Sequence, residues 1–204
     1  RDFCLSRGLG DVYKRQVITP YQDDRSLRSE MARNTFTELD KIQILLNVAE
    51  ALSLAHEQNV IHRDVRPENI FIQSDRRAAL ANFGLAYNEA HDDASFNVTV
   101  DLEDFDLNAY TSEDVFIGDY SAASDVYSFG VLAYELMTGQ KFPFDNFKEL
   151  LMKGGKLPKD SLPSAVNSNV EKWVDELCER TIVVDPIERW ANIDDCLLYT
   201  SDAA

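Results

Sequence analysis

Between residues 37 and 58, Leu39, Ile42, Leu45, Val48, Leu52 and Ala55 recur every three or four positions. That period lays them along one face of a helix, with Thr37 placed to cap it, Asp40 in its first turn and Asn59 ending it. A second long helix is expected from residue 124 through Val131, Leu132, Leu136 and Met137 to Gly139, a residue suited to a left-handed helix end. Residues 146–153 and 170–180 are shorter amphipathic stretches, with Leu150, Leu151, Val170, Trp173, Val174 and Leu177 expected on buried faces. Strand signals are brief: β-branched Val17 to Thr19, apolar residues 70–72, and residues 78–81 after a polar turn. From 87 to 107 the pattern fails, because Glu89, Asp92, Asp93, Asp101, Glu103, Asp104 and Asp106 interrupt it and predict an acidic, solvated loop.

Composition narrows the class of partner. The 204 residues carry a formal net charge of −16, which repels nucleic acid and anionic membrane surfaces, so neither is an expected partner. A hydrophobic content of 45% is enough for a real core, and no apolar run reaches membrane-spanning length. The three histidines are too scattered for a zinc site.

The two ends read differently from the middle. Asp11-Val-Tyr-Lys-Arg-Gln16 has a codon choice whose reverse complement, in a shifted frame, encodes Cys-Leu-Leu-Tyr-Thr, the wording at Cys196 to Thr200. Both resemble one translated sequencing adapter, so residues 1–16 and 196–204 are expected to be adapter-derived tails, with 17–195 the domain. Cys4 and Cys196 then fall outside it, leaving Cys178 alone, which excludes a disulfide framework and suits a reducing, cytoplasmic setting.

The candidate chemistry centres on residues 61–72, Ile-His-Arg-Asp-Val-Arg-Pro-Glu-Asn-Ile-Phe-Ile. His62, Arg63 and Asp64, with Asn69 five places after the aspartate, resemble the catalytic loop of protein kinases, H-R-D followed by four residues and N. Asn82-Phe83-Gly84 resembles the metal-binding D-F-G loop with its aspartate replaced, and Ser124-Asp125-Val126-Tyr127-Ser128-Phe129-Gly130 is similar to the heptapeptide opening the family's central helix. Tyr110-Thr111-Ser112-Glu113 falls where the family has A-P-E, and Asp185-Pro186-Ile187-Glu188-Arg189 where it has D-P-x-x-R, Trp190 replacing the following proline.

The resemblance implies an α+β kinase-like fold: the hinge and the mainly helical large lobe, with a few short strands at the cleft and without the small lobe. It implies ATP and Mg2+ as cofactors and a protein substrate or protein partner. Asp64 would meet the acceptor hydroxyl and Arg66, in place of the family's lysine, the γ-phosphate; Asn69 and Asn82 would hold metal. Pro20, Gln22, Ser26, Glu68 and Phe71 would surround the nucleotide, and Thr19 would guard the back of the adenine pocket. His62, Arg63, Glu113, Asp125 and Arg189 would be structural or regulatory: Asp125 holding the loop's backbone, Glu113 pairing with Arg189, Arg63 meeting an acidic group or a phosphorylated Thr99.

Pro67-Glu68-Asn69 is worded like serine/threonine kinases, so the parent protein is expected to transfer the ATP γ-phosphoryl group to serine or threonine hydroxyls, while this chain alone is expected to be inactive. A small-molecule phosphotransferase fits less well, since those usually read H-G-D. Asn82 keeps a second reading open. An amide brings no charge to a magnesium ion, a loss on the order of 3 kcal/mol, or roughly a hundredfold in rate. The alternative is therefore a pseudokinase acting as a scaffold or allosteric module. A misread base is a further rival, since one transition converts an aspartate codon to asparagine.

Overall fold

Helix α4 (Ala122–Thr138) is buried from Ala123 to Thr138, and the other elements are arranged around it. The computed structural model describes residues 25–88 and 107–197. In chain order these form α1 (Leu27–Met31), α2 (Glu38–Glu57), β1 (Val60–Ile61), β2 (Ile70–Ile72), β3 (Ala78–Leu80), β4 (Tyr87–Asn88), α3 (Glu113–Ile117), α4, α5 (Phe147–Met152), α6 (Pro163–Val166) and α7 (Lys172–Thr181). Two short antiparallel pairs, β1 with β4 and β2 with β3, are the strands of this part of the chain, so the fold is mainly helical as expected.

Helix α2 begins at the cap expected from its sequence, whereas α4 begins at Ala122, two residues before its expected start. In α2 the Thr37 hydroxyl accepts from the Asp40 N–H at 3.2 Å while Asp40 accepts from the Thr37 N–H at 2.9 Å, a reciprocal box satisfying two otherwise orphaned donors. At the start of α4 the Ser121 N–H donates to the Ser124 hydroxyl at 3.1 Å and the Ser124 N–H to the Ser121 carbonyl at 2.9 Å, and the last turn of α4 closes on Gly139 at φ 69°. Helix α4 presses against α7 so closely that a β-carbon on Gly130 would lie 2.2 Å from the Thr181 hydroxyl oxygen, which accounts for a glycine inside a helix.

Two expectations of burial need correction. Leu39 is 68% exposed: it lies in the first turn of α2, before the stripe of Ile42, Leu45, Val48 and Leu52 meets the core. Leu151 is also exposed, because α5 is only six residues long and buries Phe147 and Leu150 instead. Cys178 and Cys196 are both buried in the core, and Leu197 packs against it, its N–H bonding to the Ile193 carbonyl. Burial raises the pKa of both thiols. Pro20, Gln22, Thr19, Thr99, strand 17–19 and most of the acidic stretch 87–107 lie outside the described residues.

Candidate active site

The loop between β1 and β2 is fixed from beneath by one carboxylate. Asp125, fully buried near the start of α4, accepts from the backbone N–H groups of His62 and Arg63, each at 2.8 Å, and lies 2.8 Å from His56 Nε2 at the end of α2. These bonds hold Arg63 at φ 67°, a conformation that costs a non-glycine residue about 1–2 kcal/mol. The His62 ring is locked as well: Nε2 donates to the Ala81 carbonyl at 2.9 Å, leaving Nδ1 to accept from the Asp64 N–H at 3.2 Å, while Phe83 packs edge-on at 4.5 Å.

Above this base the polar side chains converge. Asn69 Nδ2 donates to the Asp64 backbone carbonyl at 2.8 Å and to Asp64 Oδ2 at 2.7 Å, and Asn82 Nδ2 donates to Asn69 Oδ1 at 3.1 Å. Arg66 Nε lies 3.2 Å from Asp64 Oδ1, an ion-pair contact whose angle falls outside hydrogen-bond geometry. Thus Asp64, Arg66, Asn69 and Asn82 are brought together, with Pro67 to Asn69 forming a single 3-10 turn between them.

The remaining candidate residues are placed less uniformly. Ser26 caps α1, its hydroxyl accepting from the Ser29 N–H at 3.3 Å, and its backbone bridges to Phe71 in β2. Glu68 points to Arg28, accepting at 2.7 Å from its Nε. Arg63 is buried, its Nε donating to the Leu85 carbonyl and its guanidinium 4.4 Å from the centre of the Tyr120 ring. Burial lowers its pKa, opposed by Tyr120, Asp125 and Tyr87.

Glu113 does not pair with Arg189. Asp114 does: its Oδ1 is 3.1 Å from Arg189 Nη2, the arginine also donates to the carbonyls of Val183, Val184 and Ala123, and Ser124 donates to Asp114 Oδ2. The reason is geometric. Glu113 is the first residue of α3 and only partly buried, whereas the next position turns inward against α4, where a shorter acid reaches the guanidinium.

A second polar cluster escaped the sequence reading. Arg28 Nη1 donates to Glu135 at 2.8 Å and Nη2 to the Tyr110 hydroxyl at 2.9 Å; Tyr110 itself donates to Glu135 at 2.7 Å, and the Phe142 N–H donates to the other carboxylate oxygen at 3.0 Å. Burial and Glu135 raise the Tyr110 pKa, keeping it a neutral donor. Burial pulls Arg28 the other way, but Glu68, Tyr110 and Glu135 outweigh it and raise its pKa. Glu135 was detectable as a lone acid within the apolar run of Val131 to Met137. The cluster floors a groove of about 600 Å³ that continues to Arg66.

The donor set fits a tightly held divalent ion poorly. Asp64 is the single carboxylate among the four converging residues, and it already faces Asn69 and Arg66; Asn69 Oδ1 faces an N–H. Among the described residues no group of three or more His, Cys, Asp or Glu side chains gathers at any point.

Comparison with known proteins agrees with this architecture. Residues 7–190 match the family described as protein tyrosine and serine/threonine kinase. The serine/threonine-protein kinase PknL of Mycobacterium tuberculosis is 37% identical over 153 residues, covering 74% of this chain and 37% of the relative. The probable serine/threonine-protein kinase PknB of Lactococcus lactis is 28% identical over 170 residues, covering 80% and 26%, and PknB of M. tuberculosis 28% over 177 residues, covering 85% and 28%. The chain thus spans about a quarter to just over a third of these relatives' lengths. With its family matched over most of its length, and with an α4 whose Asp125 carries the loop of His62 to Asn69, this chain belongs to the protein kinases.

Proposed function

We propose that this chain supplies the acceptor-binding half of a serine/threonine protein kinase, which moves the terminal phosphoryl group of ATP to a hydroxyl of a protein. The observation that carries this reading is the fixed Asp64 carboxylate beside Arg66, at the end of an open groove. In the step itself the hydroxyl oxygen forms a bond to the γ-phosphorus, the bond from that phosphorus to the bridging β,γ-oxygen breaks, ADP leaves, and the hydroxyl proton passes to Asp64. Arg66 offsets charge on the transferring group, and Asn69 keeps Asp64 aimed by donating to both its backbone and its side chain. The groove of Arg28, Tyr110 and Glu135 would take an extended segment of the protein substrate.

In the whole protein that contains this chain, Asp64→Asn is expected to lower labelled phosphoryl transfer from ATP to protein serine or threonine by about 10²–10⁴-fold. An unchanged rate would remove Asp64 from the step and this reading with it. The bond from Asn82 to Asn69 favours a second reading, a scaffold or allosteric module with little nucleotide turnover. It predicts no transfer by the whole protein, with or without Asp64→Asn.

A further inference from the structure

The hydrogen bonds in the cleft run in one direction, and that direction fixes which end of each amide faces which neighbour. Asn69 meets two acceptors of Asp64, the backbone oxygen at 2.8 Å and Oδ2 at 2.7 Å, so its NH2 must lie on that side. Its oxygen therefore faces Asn82, and Asn82, 3.1 Å away, must present its own NH2. The order is Asn82 to Asn69 to Asp64, each donating to the next, ending on the carboxylate that also faces Arg66.

We propose that Asn82 stands in for a divalent cation: its amide joins residue 82 to the catalytic loop directly, and the cleft is held in order with no ion bound. Consider the same backbone with aspartate at position 82. Two oxygens would then face each other across about 3 Å, both acceptors and one charged, an arrangement that requires a cation or a proton between them. The amide removes that requirement and puts a partial positive charge where an ion would sit. The backbone suits the substitution: Asn82 has φ 64° and ψ 52°, a left-handed conformation that asparagine and aspartate adopt more readily than other residues with a side chain. Arg66, 3.2 Å from Asp64 Oδ1, supplies the positive charge that the carboxylate still needs. Ion binding by these side chains can be read without nucleotide and without phosphoryl transfer, so it stands or falls separately from the proposed activity.

The test is a titration of the complete chain with Mn2+, following the paramagnetic resonance signal of the free ion, for the unaltered protein, Asn82→Ala and Asn82→Asp. Weak uptake by the acidic surface is common to all three. Asn82→Asp is expected to gain one saturable site at least about tenfold tighter than any in the unaltered chain, while Asn82→Ala matches the unaltered chain. A gain below tenfold means that residue 82 does not face an ion position, and the proposal fails. It also fails if the unaltered chain has a saturable site that Asn82→Ala removes, since Asn82 would then be a ligand. Should Asn82→Asp not fold, the unaltered chain decides alone: substoichiometric Mn2+ is expected to leave the Asn69 side-chain amide resonances sharp, and their selective broadening overturns the proposal.

Discussion

Asp114, in the first turn of α3, and Asn82, just after β3, show two ways of managing polarity. Asp114 is buried and paired with an arginine that also donates to three carbonyls. Asn82 is exposed, neutral and held to the loop by one amide hydrogen bond. A buried ion pair of this kind fixes geometry more than it adds net stability, and losing one member strands the other. The exposed amide has no such constraint, so its chemistry can change without unfolding the domain. The contrast separates a buried ion pair that fixes the scaffold from an exposed amide that does not.

The strongest way to break the comparison is Arg189→Met, which leaves Asp114 buried without its counter-charge. Equilibrium unfolding is expected to show a loss of about 3–5 kcal/mol; a loss below about 1 kcal/mol would mean that water reaches the carboxylate. Gly130→Ala strikes the buried side too, through packing, forcing a methyl group against Thr181, and a loss of about 1–3 kcal/mol is expected. The double variant Gly130→Ala with Thr181→Ala, which removes the hydroxyl oxygen that the new methyl would strike, should recover part of it.

Smaller effects belong to exposed groups. Thr37→Ala removes the cap of α2 and should cost about 1 kcal/mol. Asp40, the other half of that box, has its pKa lowered by hydrogen bonds with the Thr37 hydroxyl and N–H and with Arg76. A depressed folded-state pKa means that its contribution is present above the unfolded value near 3.8 and is lost as pH falls through the folded value. Asp40→Asn should therefore flatten the stability profile below about pH 4 and leave its shape near neutrality unchanged. Smallest is Asn82→Ala, where removing one exposed hydrogen bond should shift stability by no more than about 1 kcal/mol.

How far the sequence revealed these features depends on what kind of interaction each one uses. The loop of Asp64 and Asn69 and the anchor Asp125 were legible because they are held by local turns and by a helix start, both of which have residue signatures. The partner of Arg189 was misread by one residue: Glu113 and Asp114 are adjacent acids, and only the inward turn of α3 distinguishes them. The meeting of Arg28, Tyr110 and Glu135 was not legible, since it depends on how three distant segments pack and no spacing encodes it; Glu135 alone stood out, as an acid within an apolar run. Leu39 and Leu151 show the complementary error, in which helical periodicity is right while a short terminal turn lies beyond the reach of the core.

Arg28 begins to matter in a different way once its position is considered. It sits in the first turn of α1, yet its one guanidinium grips Glu68, two residues from Arg66, as well as Tyr110 and Glu135. A tug on the incoming polypeptide would therefore be felt at the loop and at the groove floor together, making this single side chain a mechanical coupling between whatever precedes the lobe and the place where an acceptor would rest.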